Sequence, residues 1–178
     1  MTARRMVWRF IETRDHRVMR SMNRWRAPRW LRIWMVWSTR LGDGWIWYTV
    51  GISVLLFGGD SRFVAFGASA AAVAATIVLF RAIKKASKRK RPCHLEAHCW
   101  SKVLPPDQFS FPSGHAMSAF AIAVPLCLFY PELQVALLVL SVSIAISRVI
   151  LGMHFVSDVV VGSLLGAGLG YGSYMLFR

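Results

Sequence analysis

An all-α integral membrane protein is the fold class this sequence predicts: a helical bundle of about five spans with an N-terminal basic amphipathic interfacial helix. Three observations predict it. Hydrophobic residues make up 56% of the 178-residue chain. They are gathered into blocks, at 44–58, 63–83, 115–130, 133–150 and 156–177, rather than scattered as in a soluble domain. The 22 Lys and Arg, against 8 Asp and Glu, crowd into residues 1–40 and the segment around the end of the second block, with Arg148 near the end of the fourth. A helix of about 20 residues crosses a hydrocarbon core of about 30 Å. The blocks at 44–58 and 115–130 are short by that measure, and the first must borrow flanking residues. No apolar run with a small-residue cleavage site closely follows the basic N-terminus, so no cleavable signal is expected. Cys93, Cys99 and Cys127 are too few, and odd in number, for a disulfide framework.

Residues 1–40 hold eleven arginines. Trp8, Ile11, Val18, Met22 and Trp25 recur at helical spacing on one face. An apolar stripe with an arginine-rich back predicts a helix lying in the membrane interface, where it would meet anionic lipids. Ala27-Pro28 breaks it, and Pro28 opens a second short helix through Trp30, Trp34 and Trp37. Seven of the eight tryptophans precede residue 48, which fits the headgroup level.

Gly42-Asp43-Gly44 is a break before the first span, with Asp43 a candidate N-cap. Gly58-Gly59-Asp60-Ser61 is a tight hairpin to the second, which ends in the basic run 81–91, where Pro92 stops or bends it. Residues 92–111 form the one long polar loop, and Tyr130-Pro131-Glu132 a second short hairpin. In the glycine-rich last helix, Gly162-x3-Gly166 predicts close packing within one bundle rather than dimerisation. Five spans put the N-terminus, the 84–115 loop and the 147–158 loop on one face. That face carries nearly all the Lys and Arg, which predicts a cytoplasmic location for it.

Three stretches on that face carry chemistry: Lys84-x6-Arg91-Pro92, Pro112-Ser113-Gly114-His115, and Ser147-Arg148-x5-His154-x3-Asp158. Phosphoryl transfer needs positioning and charge stabilisation on nonbridging oxygens. Arg91 and Arg148 offer planar forks of donors, and Lys84 offers a point charge. Gly114 admits close backbone approach, and the Ser113 hydroxyl can join. His115 opens a helix, where the dipole favours an anion. His154 is the candidate nucleophile, attacking as neutral imidazole. Asp158, four residues on, can accept its other ring N–H and fix the tautomer. His115 is the candidate general acid for the leaving alcohol, then the base for water.

These three stretches resemble the signature of the type 2 phosphatidic acid phosphatase superfamily, membrane lipid phosphatases related to vanadium haloperoxidases. The family pattern is K-x6-RP, PSGH and SR-x5-H-x3-D, and every defining position stands here at the family spacing, over residues 84–158. The resemblance implies hydrolysis of a phosphomonoester or diphosphate of a membrane lipid through a phosphohistidine, with no metal and no other cofactor. By it, Lys84, Arg91, Ser113, Gly114 and Arg148 bind phosphate, His115 is acid and base, His154 is the nucleophile, and Asp158 orients it. Many bacterial members have six spans and an outward-facing site, so the five spans here are a departure. The expected organisation is basic amphipathic interfacial helices over 1–40 and a transmembrane phosphatase domain over 41–178, in a bacterial inner membrane. Expected partners are a lipid phosphate (phosphatidic acid, phosphatidylglycerophosphate, or a polyprenyl phosphate or diphosphate) and anionic membrane lipids; nucleic acid is not expected.

Other classes leave weaker traces. A transporter or anionic-lipid scaffold would use the basic helix, but no inverted repeat is evident, and none of His115, His154 and Asp158 is lost. Membrane spans disfavour a haloperoxidase. Cys93-His94-x3-His98-Cys99 has zinc-ligand types, but ligands so close in sequence do not readily close a tetrahedron. A Cys93–Cys99 disulfide would need an oxidising compartment.

Overall fold

The computed structural model describes residues 3–96 and 107–178. Its elements run α1 (Ala3–Arg24), α2 (Arg29–Leu41), α3 (Trp45–Phe57), α4 (Arg62–Ser87), α5 (Pro92–Leu95), α6 (Gly114–Phe129), α7 (Gln134–Ile150) and α8 (Val156–Phe177). Among the described residues, three helical segments are long and apolar enough to cross a membrane: Gly59–Ser87, Pro131–Ile150 and Val156–Phe177. Two shorter apolar helices, Trp45–Phe57 and Gly114–Phe129, complete the five blocks read from the sequence. The outward faces suit lipid: Val78, Val139, Leu164 and Leu176 are all exposed. Such a surface is tolerable only where no water must solvate it, and the chain is an integral membrane protein.

α6 lies at the centre, packed on α8, α4 and α7. Its buried face is built from Ala116, Ala119, Ala121 and Ala123, small enough to let neighbouring helices close in. The glycines of α8 meet it. A Cβ at Gly162 would lie 2.7 Å from the Ser113 carbonyl oxygen, one at Gly166 2.1 Å from that of Met117, and one at Gly170 2.9 Å from that of Ala121. The glycine stripe therefore seats two helices of one bundle, as its spacing predicts.

Pro28 stands at the N-cap of α2, where the sequence places a break. α2 is more than an interfacial cover. Its Met35 joins Ala27, Leu151 and Met153 in a buried cluster, so α2 braces the turn between α7 and α8. Trp30, Trp34 and Trp37 face outward.

Two local expectations need correction. α4 ends at Ser87, not at Pro92, with Lys88 in the left-handed conformation at φ 48°. The reason is competition for the backbone. Ser110 N–H bonds to Arg89 O at 2.7 Å, and Lys90 pairs with Phe109 in an isolated antiparallel bridge. Pro92 instead opens α5, its fixed φ and missing N–H suiting a first helical position. Asp43 does not cap α3 either; Gly44, at φ 127°, holds that position. The Asp43 carboxylate is engaged elsewhere.

Candidate active site

The chain alternates direction through α4, α6, α7 and α8, so the end of α4, the start of α6, the end of α7 and the start of α8 meet at one end of the bundle. Lys84 is in the last turn of α4, and Arg148 is in the last turn of α7. Gly114 and His115 open α6, and Asp158 is in the first turn of α8. Arg91 N-caps α5, Ser113 N-caps α6, and His154 precedes the N-cap of α8. All eight candidate residues are thus brought to one end.

The turn that carries His154 is short and tied down. Gly152 sits at φ 68°, and the N–H groups of Met153 and His154 both bond to the Arg148 carbonyl, at 3.1 and 3.0 Å. His154 is 2% exposed. Arg91 lies against it: Nη1 donates to Met153 O at 2.8 Å and sits 3.0 Å from His154 Nε2. A guanidinium only donates, so Nε2 holds the lone pair and Nδ1 carries the hydrogen. Asp158 Oδ2 is 3.7 Å from that Nδ1. Burial pushes the His154 pKa down to about 3, with Arg91 and Arg148 adding to the effect against the pull of Asp158. The ring is neutral at neutral pH.

Asp158 is fully buried and heavily bonded. Arg89 Nη1 donates to Oδ1 at 2.6 Å, Ser110 Oγ donates to Oδ2, and the Phe155 N–H donates to Oδ2 at 2.8 Å. The last contact also caps α8, so one carboxylate starts the helix and faces the histidine. Arg89 reaches on to Asp15 of α1, 2.7 Å from Oδ2, and to Ser157 Oγ at 2.7 Å. Asp15 in turn accepts from the Ser157 N–H at 3.1 Å.

Lys84 and Arg91 already grip an anion. Lys84 Nζ is 2.5 Å from Asp107 Oδ2, and Arg91 Nη2 is 2.8 Å from Oδ1. Burial alone would raise the Asp107 pKa, but hydrogen bonds from Lys84 and Arg91 outweigh it and hold it at about 2. A lysine and an arginine sharing the two oxygens of one carboxylate form a pair suited equally to phosphate oxygens. Arg148, 2% exposed, donates to Thr39 Oγ1 of α2. Its Nε and Nη2, the Ser113 hydroxyl and His154 Nδ1 are buried with no partner among the described residues. Buried donors without acceptors are costly, and an anion that accepts from Arg148 and Ser113 would relieve that cost, while His154 Nδ1 faces Asp158.

His115 Nε2 lies 2.7 Å from Asp43 Oδ1, in the link between α2 and α3. Sequence reasoning missed that contact, and also Thr39, Arg89, Asp107 and Asp15. One signal was available: Asp15 falls at helical spacing within the stripe of Ile11, Val18 and Met22, an odd place for a carboxylate. Four of the chain's eight acidic residues (Asp15, Asp43, Asp107 and Asp158) pair with side chains at this end of the bundle. Of the cysteine–histidine cluster, His98 and Cys99 lie outside the described residues, and the Cys93 N–H bonds to Gly152 O at 3.2 Å.

Known proteins resemble this chain in sequence and fold. The chain is 42% identical over 89 residues to a decaprenylphosphoryl-5-phosphoribose phosphatase from Mycobacterium tuberculosis, a stretch that is 49% of this chain and 48% of that protein. It thus spans about half the length of that curated relative. The crystal structure of LpxE from Aquifex aeolicus superposes with a TM-score of 0.75 at 27% identity, covering 89% of this chain and 93% of that one. The crystal structure of a transmembrane PAP2-type phosphatidylglycerolphosphate phosphatase from Bacillus subtilis gives 0.71 at 25% identity, covering 93% and 85%. A family profile matches residues 64–178, taking in four of the five apolar helices and every motif residue from Lys84 to Asp158, and on that match the chain belongs to the PAP2 superfamily.

Proposed function

We propose that the protein is a membrane lipid phosphatase that cleaves a phosphomonoester or diphosphate through a phosphohistidine on His154. The observation that carries this reading is the state of that ring. It is buried and neutral, its Nε2 lone pair faces the Arg91 guanidinium, and Asp158 stands behind Nδ1. A nucleophile whose lone-pair nitrogen lies against an anion-binding cation is arranged to meet phosphorus once a phosphate oxygen takes over that cation's N–H.

In this mechanism Lys84, Arg91 and Arg148 hold the nonbridging oxygens, with the Ser113 hydroxyl and the backbone at Gly114. The phosphate takes over the Lys84 and Arg91 contacts that Asp107 makes. His154 Nε2 attacks phosphorus, the P–O bond to the lipid breaks, and His115 gives its proton to the leaving alkoxide. Asp158 stabilises the positive ring that results. His115 then takes a proton from water, the water oxygen attacks the phosphohistidine, and inorganic phosphate leaves with His154 regenerated. No step calls on a metal.

An apolar cavity of about 460 Å³ between α3, α4 and α6 begins at Gly42 and Asp43, beside His115, and is lined further along by Tyr48, Phe66 and Leu126. A hydrocarbon tail fits that lining, which favours lipid esters over soluble phosphates. The relatives' names supply the substrate set: a decaprenyl-linked phosphate and phosphatidylglycerophosphate, to which phosphatidic acid and polyprenyl diphosphate are added by chemistry. Residues 1–40 serve as interfacial helices that gather anionic lipid, and 41–178 as the transmembrane phosphatase domain. The arginines of α1 and α2 favour a cytoplasmic site, in a bacterial inner membrane.

The test is phosphate release by detergent-solubilised protein from a panel of those lipids, with His154→Ala as control. Wild type releases phosphate from at least one lipid, and the variant falls by about 10³-fold or more. Undiminished release by His154→Ala overturns the mechanism.

A further inference from the structure

The second histidine has a carboxylate of its own. Asp43 Oδ1 accepts from His115 Nε2 at 2.7 Å. A carboxylate can only accept here, so Nε2 carries the hydrogen and Nδ1 is the other titrating nitrogen. This mirrors the Asp158–His154 pair with the ring nitrogens exchanged.

The chain is shaped to bring Asp43 there. A Cβ at Gly42 would lie 2.8 Å from Ile144 Cγ2 and 3.1 Å from His115 Cδ2, so only glycine lets the link lie this close to the ring. Gly44, at φ 127°, turns the chain away into α3. Four residues before Asp43, Thr39 takes a hydrogen bond from Arg148. The end of α2 thus touches two site residues carried on α6 and α7. None of these link residues lies in a motif or in the stretch that matches the family.

Chemistry gives the contact a purpose. Arg148 in the last turn of α7 and Lys84 in the last turn of α4 stand at the same end of the bundle as His115, and Asp43 is the carboxylate in contact with its ring. A proton donor set among cations needs an anion beside it to hold its charged form in place.

Resting on the phosphatase reading above, we propose that Asp43 is a positioning residue for the proton transfers: it holds His115 through Nε2–H, so that Nδ1 gives a proton to the leaving alcohol and later takes one from water. Asp43 touches neither phosphorus nor the leaving group.

Leaving-group chemistry tests this. The full chain in detergent micelles is assayed in single turnover with dioctanoyl phosphatidic acid, whose alkoxide must be protonated, and with p-nitrophenyl phosphate, whose phenolate need not be. Asp43→Asn slows alcohol release by about tenfold to a hundredfold, while p-nitrophenolate release changes by less than about threefold. Asp43→Glu recovers part of the alcohol rate. The retained p-nitrophenolate rate shows that the variant is folded and binds phosphate, which a merely structural role would not preserve. Equal slowing of both substrates, or no slowing of either, overturns the assignment while leaving the phosphatase reading intact. Wild-type protein that cleaves neither substrate overturns both.

Discussion

Arg91 Nη1 sits 3.0 Å from His154 Nε2, so the guanidinium that pairs with Asp107 also caps the ring nitrogen proposed to attack phosphorus. The same guanidinium donates to Met153 O, to Asp107 O and to Asp107 Oδ1. It fixes the 151–155 turn, the 107–111 segment and the histidine tautomer together.

Arg91→Lys therefore does more than soften a charge. Lysine lacks the planar fork and cannot serve Met153, Asp107 and His154 at once. We expect kcat/KM to fall by about a hundredfold or more, with a stability loss of about 1–3 kcal/mol from buried acceptors left unpaired. Lipid-phosphate turnover and thermal melting in detergent measure the two. A variant with wild-type kcat/KM would show that the fork is dispensable.

Asp158→Asn keeps the side-chain shape and removes the charge that faces His154 and Arg89. Turnover should fall by about 10²- to 10⁴-fold, because the ring loses its orienting anion. Arg89, still paired with Asp15, limits the structural damage. Asp158→Ala should be markedly less stable than Asp158→Asn, since it also deprives Phe155 N–H and Ser110 of an acceptor. Equal melting temperatures for the two variants would contradict the network.

Stability should depend on pH through His154. Its folded pKa, about 3, lies below the ordinary value of 6.5. Between those values the unfolded chain binds a proton that the folded chain does not, so stability falls as pH drops from 6.5 towards 3 and is flat above 6.5. Melting temperature followed across that window should slope less steeply for His154→Asn. An identical slope in both proteins would mean that His154 is not the group responsible.

Gly166→Ala tests the helix seat. The new Cβ would meet the Met117 carbonyl at 2.1 Å, and backbone cannot rotate aside. α6 and α8 must separate, at a cost of about 1–3 kcal/mol or more. Gly168→Ala, with open space around its Cβ, is the matched control and should melt like wild type. Comparable melting of both variants would remove the close approach from the account.

The orientation of the site is read by thiol labelling. In a Cys127→Ala background, after mild reduction, a membrane-impermeant reagent should label Cys93 and Cys99 in inverted vesicles but not in intact cells. Efficient labelling of intact cells would put the motif end of the bundle outside.

The five apolar helices, the break at Pro28, the gathering of three motifs at one end and the glycine contact between α6 and α8 were all legible in the chain. These follow from hydropathy blocks, from helix geometry at fixed spacing and from residue size, all of which are local properties. Packing sets where α4 ends, because the backbone that would continue it, at Arg89 and Lys90, is claimed by residues 109 and 110, some twenty positions away. It also decided the partners of the charges. Asp15 meets Arg89 across 74 residues, Asp43 meets His115 across 72, and Thr39 meets Arg148 across 109. Periodicity carries no information about such pairs. They form because a charge or donor taken out of water must find its opposite, and which opposite lies within reach is set only when the helices have packed.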